Sequence, residues 1–244
     1  MSAFLAPPRW SADAFERDVA AAVDSFRRER EQEPAGHYPA YVDECLGTME
    51  ELIELTVDLS QLRERAVEVV TAPHLLEALR FVAGPFISVD DLRVIARTTL
   101  APTRLRADPE AAGRIVDSVL TGIDQRRFAW VPEGREPSEA ERQAAVLASA
   151  TLMATERVRT MRRNDAKTAQ EGAVAAALLA AGFTPVERPR AIRTLEDAPA
   201  PGEFCDEVDF GGRKADLVVG LWDRRRMPLE CKVSNSMTNS FKRV

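Results

Sequence analysis

The chain has 244 residues, 45% of them hydrophobic, and a formal net charge of −6. That length suits one large or two small domains with an ample core, and the acidic balance excludes a protein that coats nucleic acid through bulk positive charge. The spacing of Cys45, Cys205 and Cys231, and of His37 and His74, excludes a disulfide framework and a zinc site, so any metal must be held by oxygen. The N-terminus lacks a secretory pattern and no apolar run reaches membrane-spanning length, which predicts a soluble, cytoplasmic protein.

Helical periodicity dominates the first two thirds. Ser11 is placed to cap a helix carrying Phe15, Val19, Val23 and Phe26. A second, bent helical run extends from Tyr38 through Met49, Leu52, Leu55 and Leu59 to Leu62. His74 to Val82, a turn over Ala83-Gly84-Pro85-Phe86-Ile87, and Ser88 capping Val89 to Thr99 read as helix, turn, helix, with Asp91 completing a variant capping box. Such a pair can read DNA, but helical hairpins that serve packing are far commoner. Asp108-Pro109 opens a helix to about Asp124, and a loop follows over Trp130 to Pro137. Ser138 and Glu141 box the start of a long helix to about Arg163. Asn164 or Asp165 then recaps the chain for Ala166 to Ala181, closed by Gly182.

Beyond Gly182 the pattern turns to strands: Phe183 to Glu187, Glu203 to Phe210 after a proline-rich insert, then Asp216 to Trp222 and Pro228 to Ser234 as a hairpin. In an extended strand alternate side chains share a face, so Glu230 and Lys232 point one way while Leu229, Cys231 and Val233 point into a core. Asp216 joins Glu230 and Lys232 on that face only if paired residue numbers sum to an even value, for instance Asp216 opposite Lys232 and Val218 opposite Glu230. That requires a three-residue loop or a bulge. Two carboxylates and an amine so gathered suit metal-dependent phosphodiester cleavage, with hard oxygens for a divalent cation and a lysine to orient or deprotonate water. The competing reading is a surface ladder of cross-strand ion pairs. Basic clusters, Arg157 to Lys167 and then Arg213, Lys214, Arg224, Arg225, Arg226, Lys242 and Arg243, are ordinarily solvated faces. Their closeness to the carboxylates shifts the balance toward a DNA-facing surface.

A helix bearing Glu171 within Lys167-Thr168-Ala169-Gln170-Glu171, then strands bearing Asp216 and Glu230-Cys231-Lys232, resembles the PD-(D/E)XK nuclease superfamily, with Ala215 where proline often stands. More narrowly, the helical front half joined to Lys214-Ala215-Asp216 and Glu230-Cys231-Lys232-Val233-Ser234-Asn235-Ser236 looks like the XamI family of type II restriction endonucleases. The resemblance implies an α+β protein: a helical domain over 1–160 and a nuclease core over 161–244. It implies Mg²⁺ on Asp216, Glu230 and the Cys231 carbonyl, Lys232 acting on the attacking water, and Glu171 orienting Lys232 or holding a second ion. Lys167, Gln170, Lys214, Ser234, Asn235, Ser236 and Lys242 become candidate DNA contacts. A homodimer on double-stranded DNA and a cognate DNA methyltransferase are the implied partners. Only twelve residues follow Lys232, too few for the crossover helix and further strand of that fold, so the resemblance also implies a truncated core with weak or no activity. A repair or mobile-element nuclease, and a noncatalytic DNA-binding or interaction protein using the helical region, are the alternatives.

Overall fold

A computed structural model describes residues 11–32, 36–187 and 191–232. The chain divides into two compact units, Met1–Val158 and Arg159–Val244. Among the described residues no helix is long and apolar enough to cross a membrane.

The first unit is helical. Helix α1 (Ala12–Gln32) starts where the Ser11 hydroxyl accepts a hydrogen bond from the Ala14 amide. Helix α2 (His37–Leu55) is shorter than the run to Leu62 that periodicity predicts. The Thr56 hydroxyl donates to the Leu52 carbonyl at 2.7 Å and accepts from the Leu59 amide, and Val57, Asp58 and Leu59 all take positive φ. Trp130 Nε1 donates to the Asp58 carbonyl and Arg142 pairs with the Asp58 carboxylate at 2.6 Å. Tertiary partners thus outweigh local propensity, and the turn swings Leu59 and Leu62 into the core.

Helices α3 (Ala66–Thr71), α4 (Pro73–Arg80), α5 (Val89–Ile95), α6 (Pro102–Ala107), α7 (Pro109–Thr121), α8 (Trp130–Glu133) and α9 (Glu139–Ala180) follow. The caps read from the sequence are made at Ser88, Asp108 and Ser138, whose side chains accept from the amides of Asp91, Ala111 and Glu141. Several boundaries differ from expectation. Helix α5 stops at Ile95 because Arg97 turns left-handed, α7 stops at Gly122, and α6 and α8 are single turns where no helix is foreseen. Helix α9 runs unbroken for 42 residues through Asn164 and Asp165. Each of those residues costs a helix interior only about 0.7 kcal/mol, too little to break one anchored on both sides.

Leu52, Ile53, Leu79, Ile115, Val119 and Met153 are buried in the core of this unit. Arg127 ties it together: its guanidinium donates to the carbonyls of Phe81 and Ala83, to the Ser149 hydroxyl and to the Asp124 carboxylate at 2.8 Å. Arg127→Met is expected to destabilise the unit by about 3 kcal/mol, since it strands two carbonyls and a carboxylate, measurable by urea denaturation. The hydrogen bond from Arg127 holds the Asp124 carboxyl below its ordinary 3.8. The pair's contribution is therefore complete above that pH and is lost as pH falls through the lowered native value.

Among the described residues, the second unit sets the C-terminal part of α9 against a mixed sheet of five strands, in which the third pairs with the first, second and fourth and the fourth pairs with the fifth. Strands β1 (Thr184–Pro185) and β2 (Ala191–Ile192) both run parallel to β3 (Glu203–Phe210), so part of the proline-rich insert is sheet. Strand β4 (Arg213–Gly220) returns antiparallel through Gly211-Gly212, both at positive φ as a tight hairpin turn requires. Strand β5 (Arg226–Leu229) completes the hairpin. Its span is shifted from the predicted Pro228 to Ser234, and Glu230 and Lys232 lie just past its end. Ser234, Asn235, Ser236 and Lys242 lie outside the described residues.

Candidate active site

One stripe of α9 explains how the site is assembled. Lys167, Gln170, Glu171, Val174, Ala175 and Leu178 recur at the three- and four-residue steps that share a helix face. The C-terminal half of the stripe is apolar. Val174, Ala175 and Leu178 pack with Phe204, Leu217, Val219, Leu229 and Cys231, which docks the helix on the sheet. The N-terminal half is polar and is carried over β4, where it meets Asp216.

Along β4, Leu217 and Val219 face α9, whereas Ala215 and Val218 join Ile192, Cys205 and Val208 in a second cluster. Residues 215 and 217 should share a face, so alternation breaks at Asp216. The position opposite is Glu207, which has φ +40 and interrupts the ladder between Asp206↔Leu217 and Val208↔Ala215. This irregularity aims a carboxylate at the helix from between the buried apolar neighbours Ala215 and Leu217.

Asp216 is only 6% exposed. Its Oδ2 accepts from the Cys231 amide at 2.7 Å, and its Oδ1 lies 3.1 Å from Lys167 Nζ. The same ammonium is 3.1 Å from Glu171 Oε1 and 3.7 Å from Glu207 Oε1, and Glu207 also pairs with Lys214 at 3.2 Å. Burial pushes the Asp216 carboxyl up, but the Cys231 amide and the Lys167 ammonium outweigh it and hold the group below its ordinary value. The Glu171 and Asp216 carboxylates raise Lys167 above the ordinary lysine value. Burial, and then the charges of Asp216, Glu171 and Glu230, push up the Cys231 thiol.

Glu171 Oε1 is buried and is paired with the Lys167 ammonium at 3.1 Å. A buried hard oxygen beside a second carboxylate, with a cation lodged between them, is a donor set that fits a divalent ion such as Mg²⁺. Among the described residues no three acidic, thiol or imidazole groups are arranged to hold one. The pair is therefore a partial cage.

The β4–β5 register has even sums: Leu217↔Leu229, Val218↔Pro228 and Val219↔Met227. Leu221 N donates to the Arg225 carbonyl, which leaves Trp222-Asp223-Arg224 as a three-residue loop. Continued one step, this ladder sets Glu230, not Lys232, opposite Asp216. Glu230 and Lys232 are both exposed, while Leu229 and Cys231 pack in the core. Cys231 reaches Asp216 through its amide.

Of the other expected contacts, Lys167 sits on the carboxylates, Lys214 is exposed beside Glu207, and Gln170 has a buried Oε1 without a hydrogen-bond partner. Arg157 lies in the first unit, bound to Glu77 and Glu44. Arg225 is paired with Asp223. Helix α5 carries Asp90 and Asp91 in its first turn and its Arg93 is paired with Asp90, a poor face for phosphates. Glu207 and the inward role of Lys167 went unforeseen. The helical stripe through Lys167, Glu171 and Val174 is the signal that could have found the second.

The family model described as XamI restriction endonuclease matches residues 60–244. The chain is 40% identical over 249 residues to the type II restriction enzyme XamI of Xanthomonas campestris pv. amaranthicola, an alignment covering 98% of this chain and 88% of that protein. No solved structure matches the chain.

Proposed function

The chain belongs to the XamI restriction endonuclease family, and from that premise we propose that its second unit is a PD-(D/E)XK nuclease core that hydrolyses double-stranded DNA at a specific sequence, with Mg²⁺ held by Asp216 and Glu171. The observation carrying this reading is the convergence of the buried Asp216 carboxylate and the buried Glu171 oxygen around a single cationic group. Glu230, one ladder step beyond Leu229, is the proposed third carboxylate, and the Cys231 carbonyl a further oxygen.

When bound, the ion supplies positive charge for the scissile phosphate and for the oxygens that attack and leave. The protein's own part is orientation. The Cys231 amide fixes the Asp216 carboxylate, so its free lone pairs point to the site. Lys232, exposed just past Cys231, would orient the attacking water by donating to it. Gln170, Lys214, Ser234, Asn235, Ser236 and Lys242 are proposed for phosphate or base contact. A two-fold dimer would match the symmetry of a palindromic duplex site, and a cognate methyltransferase would protect the host's own copies.

Incubating the purified chain with plasmid DNA and Mg²⁺ should give a discrete fragment pattern with one common sequence at every mapped end, abolished by a chelator. Intact plasmid under every divalent ion tried, or ends without a shared sequence, would sink the reading.

A further inference from the structure

Lys167 has its ammonium where the proposed reading puts a metal ion. It stands 3.1 Å from an oxygen of Asp216 on β4 and 3.1 Å from an oxygen of Glu171 one helical turn away, with Glu207 at 3.7 Å and Lys214 beyond it. Three carboxylates therefore face this ammonium and one further lysine. The Lys167 side chain is 36% exposed and its four-carbon stem is flexible, so the head can leave toward water while α9 stays docked through Val174 and Leu178.

We infer that Lys167 is a built-in counter-ion that occupies the divalent cation's place in the resting protein and must be expelled before the ion can bind. The inference rests on the reading of Asp216 and Glu171 as ligands. The charge balance supports an exchange: two carboxylates and one ammonium leave a net −1, and a divalent ion with the ammonium moved out to solvent leaves the pair neutral. Keeping both cations within about 4 Å of each other would add strong repulsion in a half-buried site. Without its resident ammonium the carboxylate pair would be bare, and an incoming ion would displace only water.

The test is Mn²⁺ binding to the full chain without DNA, followed by isothermal titration and by the spin-resonance signal of free Mn²⁺. Lys167→Met should bind Mn²⁺ at least about tenfold more tightly than the unsubstituted chain. Lys167→Arg, which keeps the charge, should not gain. Asp216→Asn should lose binding in either background. If Lys167→Met binds equally or more weakly while Asp216→Asn still abolishes binding, the counter-ion role is overturned and the metal site survives. If Asp216→Asn leaves binding unchanged, the metal site itself is wrong.

Discussion

Asp216→Asn is expected to reduce DNA cleavage by about a thousandfold or more while leaving the fold and DNA binding in place. Asparagine is nearly isosteric with aspartate and can still accept from the Cys231 amide through its carbonyl oxygen, so the β4–β5 junction keeps its hydrogen bond. The negative charge is what disappears. Asp216 is the buried member of the carboxylate group and is held on two sides, so no exposed neighbour can replace it without moving backbone. Single-turnover cleavage with Mg²⁺ should show the loss. Gel-shift affinity for the cognate duplex in Ca²⁺ should change little by comparison. A variant that cuts at a rate near that of the parent would remove Asp216 from the chemistry.

The largest stability effect is expected at Gly220. A β-carbon there would fall 2.1 Å from the Ala200 carbonyl oxygen and 2.6 Å from that of Pro199. These are backbone atoms on a segment pinned from both ends: Gly202 N donates to the Gly220 carbonyl, and the Ala200 amide donates to Glu203. The neighbour cannot yield as a flexible side chain would. Gly220→Ala should therefore cost the second unit about 3 kcal/mol or more, at or above the upper end of ordinary overpacking. It should also pull β4 away from the Pro199 to Gly202 segment. Trp222, 56% exposed and tilted against Phe183, is well placed to report this through its fluorescence during urea unfolding. An unfolding midpoint equal to that of the parent would contradict the close approach.

Local chemistry made much of the architecture legible in advance. Capping side chains at Ser88, Asp108 and Ser138 announced three helix starts because a cap is a short-range bargain between one oxygen and an amide three residues on. Hairpin parity was readable only as a condition, even sums and a three-residue loop if the acids are to share a face, and the register meets it one step away from the example pairing. What escaped the sequence was non-local. The left-handed turn at Val57 to Leu59 depends on Trp130 and Arg142, more than seventy positions away. Alternation does set Leu229 and Cys231 inward and Glu230 and Lys232 outward, but the end of β5 at Leu229 leaves the two charged residues beyond the ladder, which periodicity did not foretell. The inward role of Lys167 was signalled only by the helical stripe it shares with Glu171 and Val174, and that stripe gains its meaning once Val174 and Leu178 are seen to dock the helix on the sheet.

The unbroken course of α9 bears on how such proteins can be recombined. The two compact units meet in numbering at Val158 and Arg159, in the interior of that helix, where hydrogen bonding runs straight across the join. A chimera spliced there between divergent relatives would inherit half a helix from each parent. Every inserted or deleted residue would shift the side chains of the later half about 100° around the helix axis, out of phase with those of the earlier half. Exchange of parts is better tolerated upstream of Ser138 or after Gly182, where loop backbone absorbs changes in length, so α9 and its stripe should be inherited as a single heirloom.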